Sequence, residues 1–240
     1  MDSDLWFEDE HGTRLKKAAI TDVNGEEVLA YTTDWKSYLA RLRVYQGFLK
    51  ANLSPDLEQL TLDSYKGEDD PKNLTKLKRY INEFDSLFSR ASVYLWSRLN
   101  STQKTTTAKL IAKELLLKGR SVYFTTFSDL VTALKDEAFR ENAALLVQLC
   151  HEVDFLILDD AFDPRKVTIY KSGFQLAFID TFLRKRLETN QKATCLTANV
   201  PLDEIGKVFG ISLQALLERT CKPFEFNDPY PSIDLESLWS

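Results

Sequence analysis

The stretch VYLWSRLNSTQKTTTAKLIAK, from Val93 to Lys113, decides the fold. Its first four residues are apolar and indicate a buried strand, and a small-polar loop follows from Ser97 to Gln103. Lys104 and Thr105 then open a helix that ends at Gly119, a residue typical of helix C-termini. A strand, a polar loop, a Lys-Thr pair and a helix form the layout of a phosphate-binding P-loop.

This P-loop departs from the usual motif at both of its glycines. The pattern G-x-x-x-x-G-K-[ST] is matched at Lys104 and Thr105, but Arg98 and Gln103 stand at the glycine positions. The alternative interpretation is a polar loop before an ordinary lysine-rich helix. The P-loop interpretation predicts that ATP is bound by Asn100, Ser101, Thr102, Gln103, Lys104, Thr105 and Thr106, with the Thr105 hydroxyl on Mg²⁺.

Composition sets the class of protein. A chain of 240 residues, 44% hydrophobic and 28% charged, is typical of a globular domain with an appendage. The longest apolar runs are shorter than the ~20 residues of a membrane span, and the acidic start is unlike a signal peptide. We therefore expect a cytoplasmic protein with no membrane partner. The three separated cysteines, Cys150, Cys195 and Cys221, predict buried reduced thiols.

Strands and helices alternate from Val93 onwards. The predicted strands cover residues 93–96, 121–126, 153–160, 193–198 and 224–226, with helices between them. This alternation predicts an α/β fold in which helices cover both faces of a central parallel sheet. Ligands bind such sheets outside the carboxyl ends of the strands.

A second nucleotide signal is FLILDD, which runs from Phe155 to Asp160. Four apolar residues followed by an acid form the Walker B pattern, in which a buried strand delivers a carboxylate to Mg²⁺. We assign Asp159 to the metal and Asp160 to the attacking water as general base. A buried strand ending in a solvated acid pair is the alternative, but the distance from Lys104 suits a P-loop sheet.

Asn199 and Arg219 complete the predicted catalytic set. Asn199 follows the next strand and is placed to hold the water or the γ-phosphate, although Asn199-Val200-Pro201 is also a natural turn. Arg219 is either an arginine finger for a neighbouring subunit or one half of a surface ion pair.

Two further segments suggest partners. After Asp34, aromatic and leucine residues recur at helical spacing, so this helix either packs on its own domain or docks on a partner. Basic residues with a nearby ring suit single-stranded DNA, and the candidates are Arg165, Lys166, Tyr170 and Lys171. A solvated helix face is the favoured interpretation for Arg184 to Arg186.

Taken in chain order, the segments around the P-loop, FLILDD, Asn199 and Arg219 resemble the AAA+ ATPase domain of bacterial and phage replicative helicase loaders of the DnaC/DnaI type. The IstB transposition helpers are related to these loaders. The likeness covers about residues 91–226, and ELLLKGRSVYF with the following FSDL is its most specific part. The resemblance implies a P-loop core without a helical lid and an ATP-dependent homo-oligomer that grips single-stranded DNA. It also implies that the protein delivers or opens the hexameric helicase, in a bacterial or phage-infected cell.

On this resemblance, Lys104 and Thr105 match Walker A, Asp159 and Asp160 match Walker B, and Asn199 matches sensor 1. Arg219 matches the late arginine. The missing glycines and an Asp in place of the usual Glu put hydrolysis in doubt more than binding. Alternative functions are a catalytically weak scaffold that binds a replication protein, or an IstB-like transposition helper.

The predicted organisation has three parts. Residues 1–90 form a partner-binding region that contacts the replicative helicase, residues 91–226 form the AAA+ core, and residues 227–240 form an acidic tail. The leading hypothesis is an ATP-dependent helicase loader or accessory factor in DNA replication.

Overall fold

A computed structural model of the chain describes residues 6–8, 14–21, 25, 27–33, 35–64, 71–163 and 174–227. The four residues proposed to contact DNA, between positions 165 and 171, lie outside this set, as do residues 228–240 of the tail. The chain forms two compact units, Met1–Leu49 and Lys50–Ser240. Residues 50–90, which the sequence grouped with the N-terminal region, therefore belong to the same compact unit as the core.

The first unit consists of a small antiparallel sheet and one helix. Strands β1 (Trp6–Glu8), β2 (Arg14–Thr21) and β3 (Glu27–Thr33) pair in sequence order. The β2–β3 hairpin closes around Gly25, whose φ of +84° is one that glycine adopts without strain. An Asn-Gly dipeptide, here Asn24-Gly25, is a sequence that favours a hairpin. Helix α1 covers Trp35–Lys50.

The second unit begins with connecting turns and helices. Two 3₁₀ turns at Pro55–Gln59 and Leu62–Ser64 precede helix α2 (Pro71–Asn82). A single π-helical turn at Phe84–Phe88 follows α2 and leads into the sheet. Helix α2 begins at Pro71, a residue favoured in the first helical turn.

The core sheet has five parallel strands in the order β5-β6-β7-β4-β8. The strands are β4 (Ser92–Trp96), β5 (Val122–Thr126), β6 (Phe155–Ala161), β7 (Ala193–Ala198) and β8 (Cys221–Glu225). The predicted α/β class and parallel sheet are confirmed. The last strand is longer than the predicted Phe224 to Phe226 and begins at Cys221.

The connecting helices are α3 (Lys104–Leu117), α4 (Phe127–Asp136), α5 (Glu141–Glu152), α6 (Phe174–Arg184), α7 (Gly206–Phe209) and α8 (Ile211–Thr220). Helix α3 ends as predicted, because Gly119 has a φ of +83° and donates its N–H to the Leu116 carbonyl at 2.9 Å. A π-helical turn at Lys185–Thr189 continues α6.

Alternate residues of the strands face two separate apolar layers. Leu156 and Leu158 of β6 join the core formed with α4, α5, α6 and α8. On the opposite face, the ring centroid of Phe155 lies 6.1 Å from that of Phe84 and 6.3 Å from that of Tyr80. Both sheet faces are therefore covered, which explains why these strands read as continuous apolar runs.

All three cysteines are buried and unpaired, as predicted. No helix within the described ranges is long and apolar enough to cross a membrane.

Candidate functional site

The loop between β4 and α3 contains no glycine, but two of its residues adopt a left-handed backbone conformation. Gln103 has a φ of +59° and Ser101 a φ of +57°, in the left-handed region where glycine is usually found. Gln103 also begins the helix, since its carbonyl accepts the N–H of Thr107 at 2.8 Å. The second motif glycine is therefore replaced by a residue held in a glycine-like conformation.

Arg98, at the first glycine position, contacts an acid beyond the next strand. Its Nη2 lies 2.7 Å from Oε1 of Glu204, which belongs to the 3₁₀ turn Leu202–Glu204. This ion pair with Glu204 raises the pKa of Arg98 and lowers the pKa of Glu204. The arginine thus ties the loop to the segment that follows β7.

Lys104 is buried at the N-terminus of α3 and turned onto its own loop. Its Nζ donates to Oγ1 of Thr102 at 3.0 Å and to the Leu99 carbonyl at 3.4 Å. Burial lowers the pKa of the Lys104 ammonium, and the negative charges of Asp160 and then Asp159 partly offset this effect. Both predicted acids therefore lie within electrostatic reach of the lysine.

Thr105 and Asp159 are in direct contact. The Thr105 hydroxyl donates to Oδ1 of Asp159 at 2.7 Å, across 54 positions of sequence. A hydroxyl and a carboxylate are hard oxygen donors of the kind that Mg²⁺ prefers. The pair predicted to hold the metal is thus brought together, and its chemistry fits that ion.

The second acid, Asp160, lies where the β6 ladder becomes irregular. The register with β7 shifts between Leu158 and Ala161, and Asp160 has a φ of +53°. Such bulges re-aim side chains and occur beside active sites. Because β7 lies between β6 and β4, the carboxyl end of β7 also lies here. We call this side of the sheet, where the parallel strands end, the carboxyl edge.

Asn199 follows β7 directly and is half-buried. The neighbouring Val200 carbonyl accepts the Tyr94 hydroxyl at 2.8 Å, which anchors this turn to the P-loop strand. The predicted sensor residue therefore lies at the same sheet edge as the P-loop and the acids. Asn100, Ser101 and Thr106 are exposed around it on the loop and the first turn of α3.

Arg219 lies at the amino edge of the sheet, where the parallel strands begin. It lies in the last turn of α8, just before β8 begins at Cys221, and its guanidinium forms an ion pair with Glu188. Strand β8 runs parallel to β4, so its beginning is at the edge away from the P-loop. Arg219 therefore does not belong to the site of its own chain.

The basic residues at the end of α6 have unexpected surroundings. The favoured interpretation of Arg184 to Arg186 as a solvated face is wrong for Arg186, which is fully buried. Arg184 forms ion pairs with Asp180 and Glu188. The structure thus gives these two arginines structural contacts.

Thr197 is a site residue that sequence reasoning did not assign. Its hydroxyl donates to Oδ1 of Asp159 at 2.6 Å and accepts the N–H of Asp160 at 3.0 Å. The available signal was one of two threonine hydroxyls in this strand, two residues before Asn199. A threonine in a strand is ordinary, and only the pairing with β6 distinguishes this one.

A Lys-Thr pair at the start of a helix, an acid from a second parallel strand and a polar turn between them define a P-loop nucleotide-binding fold. No protein-family model matches the chain. Among curated proteins, the chain is similar to the replicative helicase loader DnaC of Escherichia coli K12. The two are 25% identical over 199 residues, covering 78% of this chain and 77% of DnaC.

Solved structures share the fold. The crystal structure of the DnaC helicase loader matches with a TM-score of 0.60 at 18% identity, over 72% of this chain and 100% of that one. The structure of DnaI matches with a TM-score of 0.58 at 18% identity, over 74% and 93%. AMPPCP-bound DnaA from Aquifex aeolicus gives 0.56 at 16% identity, over 72% of this chain but only 51% of DnaA. These structures share the α/β fold of the core, and the similarity to DnaC supports the resemblance to helicase loaders that the sequence predicted.

Proposed function

We propose that this protein binds ATP with Mg²⁺ and serves as a loader or accessory factor of the replicative helicase in DNA replication. The observation that carries the proposal is the contact between Thr105 and Asp159 beside the buried ammonium of Lys104. Similarity to the DnaC helicase loader supports the helicase as the partner. The AMPPCP bound to a structural neighbour, DnaA, supports a nucleotide as the ligand.

Each residue of the site has a role in this proposal. The loop N–H groups and Lys104 bind the phosphates, while Thr105 and Asp159 hold Mg²⁺. The bound Mg²⁺ would neutralise charge on the phosphate oxygens. Asp160 orients or deprotonates the attacking water, and Asn199 positions that water or the γ-phosphate.

Arg219 acts in this scheme from a neighbouring copy. It lies at the sheet edge away from its own P-loop, so it can serve a nucleotide only across an interface between subunits. A homo-oligomer is therefore part of the proposal. The helicase contact is assigned to the N-terminal region, where Tyr45 and Leu49, one helical turn apart on α1, are exposed. Single-stranded DNA binding by Arg165, Lys166, Tyr170 and Lys171 is proposed from the sequence alone.

Calorimetry with Mg²⁺-ATP tests the nucleotide site. Lys104→Ala should weaken binding by about 10- to 100-fold, since a charged hydrogen bond to phosphate is lost. Lys109→Ala is the matched control on the same helix, because the Lys109 ammonium lies 4.2 Å from the centre of the Phe124 ring. Equal affinity of both variants and the unaltered protein would sink the P-loop assignment.

A phosphate-release assay with and without single-stranded DNA then separates two functions. Release stimulated by DNA supports an active loader. A docking scaffold is the second candidate, favoured by one observation: Lys104 bonds groups of its own loop, Thr102 and Leu99. No nucleotide binding at millimolar ATP, with a retained complex with the replicative helicase, would support the scaffold instead.

A further inference from the structure

Near its carboxyl end, strand β6 contains one residue more than the stretch of β7 that pairs with it. Leu158 pairs with Leu196 and Ala161 pairs with Ala198, so two acids on β6 stand opposite a single residue of β7. That residue is Thr197. Two residues against one is the defining count of a β-bulge, a feature that is rare in parallel pairs.

The Thr197 side chain bonds both residues of the bulge. Its hydroxyl donates to the Asp159 carboxylate at 2.6 Å and accepts the backbone N–H of Asp160 at 3.0 Å. It thus supplies an acceptor to a backbone N–H within the interrupted ladder. Thr197 itself is 1% exposed, so both bonds are made away from solvent.

The bulge changes where the acids act. In a regular strand, successive side chains point to opposite faces, and only one of two adjacent acids could face α3. Here Asp159 contacts Thr105 of α3, while Asp160, with a φ of +53°, lies outside the regular alternation of the strand. The extra residue therefore removes the alternation that would place the Asp160 side chain on the face opposite that of Asp159.

We propose that Thr197 is a positioning residue: its hydroxyl holds the bulge of β6 and thereby keeps both acids aimed at the P-loop. This inference rests on the proposed function for its consequence, that Thr197 sets how much Mg²⁺ adds to nucleotide affinity. Valine has the shape of threonine without the hydroxyl, so a Thr197→Val variant removes the two bonds and little else.

The first test requires no nucleotide. Thr197→Val should lower the melting temperature by about 3–6 °C, because a buried N–H loses its acceptor and Asp159 loses a donor. In an Asp159→Ala background, the same change should lower it by roughly half as much or less, since one of the two bonds is already absent.

Thr194→Val is the matched control for this cycle. Thr194 is also fully buried on β7, but its hydroxyl accepts from Arg186 at 2.8 Å and donates to the Lys192 carbonyl at 3.4 Å. Its effect on the melting temperature should therefore be the same with and without Asp159→Ala. Additivity for Thr197→Val as well would overturn the inference.

The second test compares ATP affinity in Mg²⁺ with ATP affinity in EDTA by calorimetry. Thr197→Val should reduce the gain from Mg²⁺ by about tenfold, as expected when a ligand's supporting contact is lost. Affinity in EDTA should change little. Thr197→Ser, which keeps the hydroxyl, should retain most of the gain, and Thr194→Val should retain all of it.

The two tests distinguish the possible failures. If the unaltered protein binds no nucleotide, the proposed function fails, and the melting-temperature cycle alone decides whether Thr197 positions the acids. If nucleotide binds and the Mg²⁺ gain survives Thr197→Val, the hydroxyl is merely structural and the inference is wrong.

Discussion

The carboxyl edge and the amino edge of the core sheet each contain a buried cation, and the two cations make different kinds of contact. At the carboxyl edge, Lys104 contacts its own loop, beside the contacting pair Thr105 and Asp159. At the amino edge, Arg186 is fully buried among the ends of α5, β6 and β7. Burial lowers the pKa of both side chains.

The surroundings of Arg186 are almost all backbone. Its guanidinium donates to the carbonyls of Cys150 (2.7 Å), His151 (3.2 Å), Val153 (3.1 Å) and Ala193 (2.7 Å) and to Oγ1 of Thr194 (2.8 Å). These carbonyls belong to the fold and cannot turn to another partner. The contacts at the carboxyl edge, by contrast, are mainly between side chains, as in Thr105 with Asp159 and Lys104 with Thr102. The amino edge therefore stabilises the fold, and the carboxyl edge is the one at which we propose that nucleotide binds.

The largest effect is expected from removing Arg186, the buried cation at the amino edge. Arg186→Met should lower the free energy of unfolding by about 3–5 kcal/mol, because buried carbonyls lose their donor. Urea denaturation measures this loss. Arg184→Met is the control two residues away, and its half-exposed ion pairs should be worth less than about 1 kcal/mol.

Acid pH also tests the amino edge, through His151. The centroid of its ring lies 4.4 Å from that of the Phe182 ring. Burial, followed by the charges of Lys185 and Arg186, lowers the pKa of His151 from 6.5 to about 4. Between pH 4 and 6.5 the unfolded chain therefore binds more protons than the folded one. Stability should fall as the pH is lowered through this window, and be unaffected by His151 above it.

Partial exposure of His151 limits the expected loss to about 1–2 kcal/mol. Urea denaturation at about pH 7.5, 6 and 5 measures this loss of stability. His151→Gln cannot titrate, so its stability should decline less over the same range. Parallel declines for both proteins would assign the acid sensitivity to other groups.

The smallest effects separate the two glycine positions of the P-loop. At Gln103, with φ at +59°, Gly should be more stable than Ala by about 1 kcal/mol, since Ala is strained in the left-handed region. Arg98 is absent from the positive-φ residues of the described chain, so there Gly should be less stable than Ala by about 0.5–1 kcal/mol. Comparing Gly with Ala at each position cancels the loss of the side chain. The same sign at both positions would contradict this account.

The strand containing FLILDD illustrates how far the sequence could lead. Its apolar run predicts a buried strand, and the acids predict a metal site at its end, because these signals depend on neighbouring residues alone. The bulge at these acids could not be predicted, since it exists only in the register with β7. Arg186 was missed for a related reason: its partners are backbone carbonyls up to 36 positions away, which leave no mark in residue type.

The sequence by itself determined the parallel α/β core, the P-loop at Lys104 and Thr105, and the acids at Asp159 and Asp160. Apolar periodicity and short motifs carry this information because they report local conformation and burial. Only the tertiary structure decided that Thr197 joins the acids, that Arg98 pairs with Glu204 and that Arg219 lies across the sheet from its own P-loop. These contacts depend on strand order and register, which bring together residues far apart in the chain.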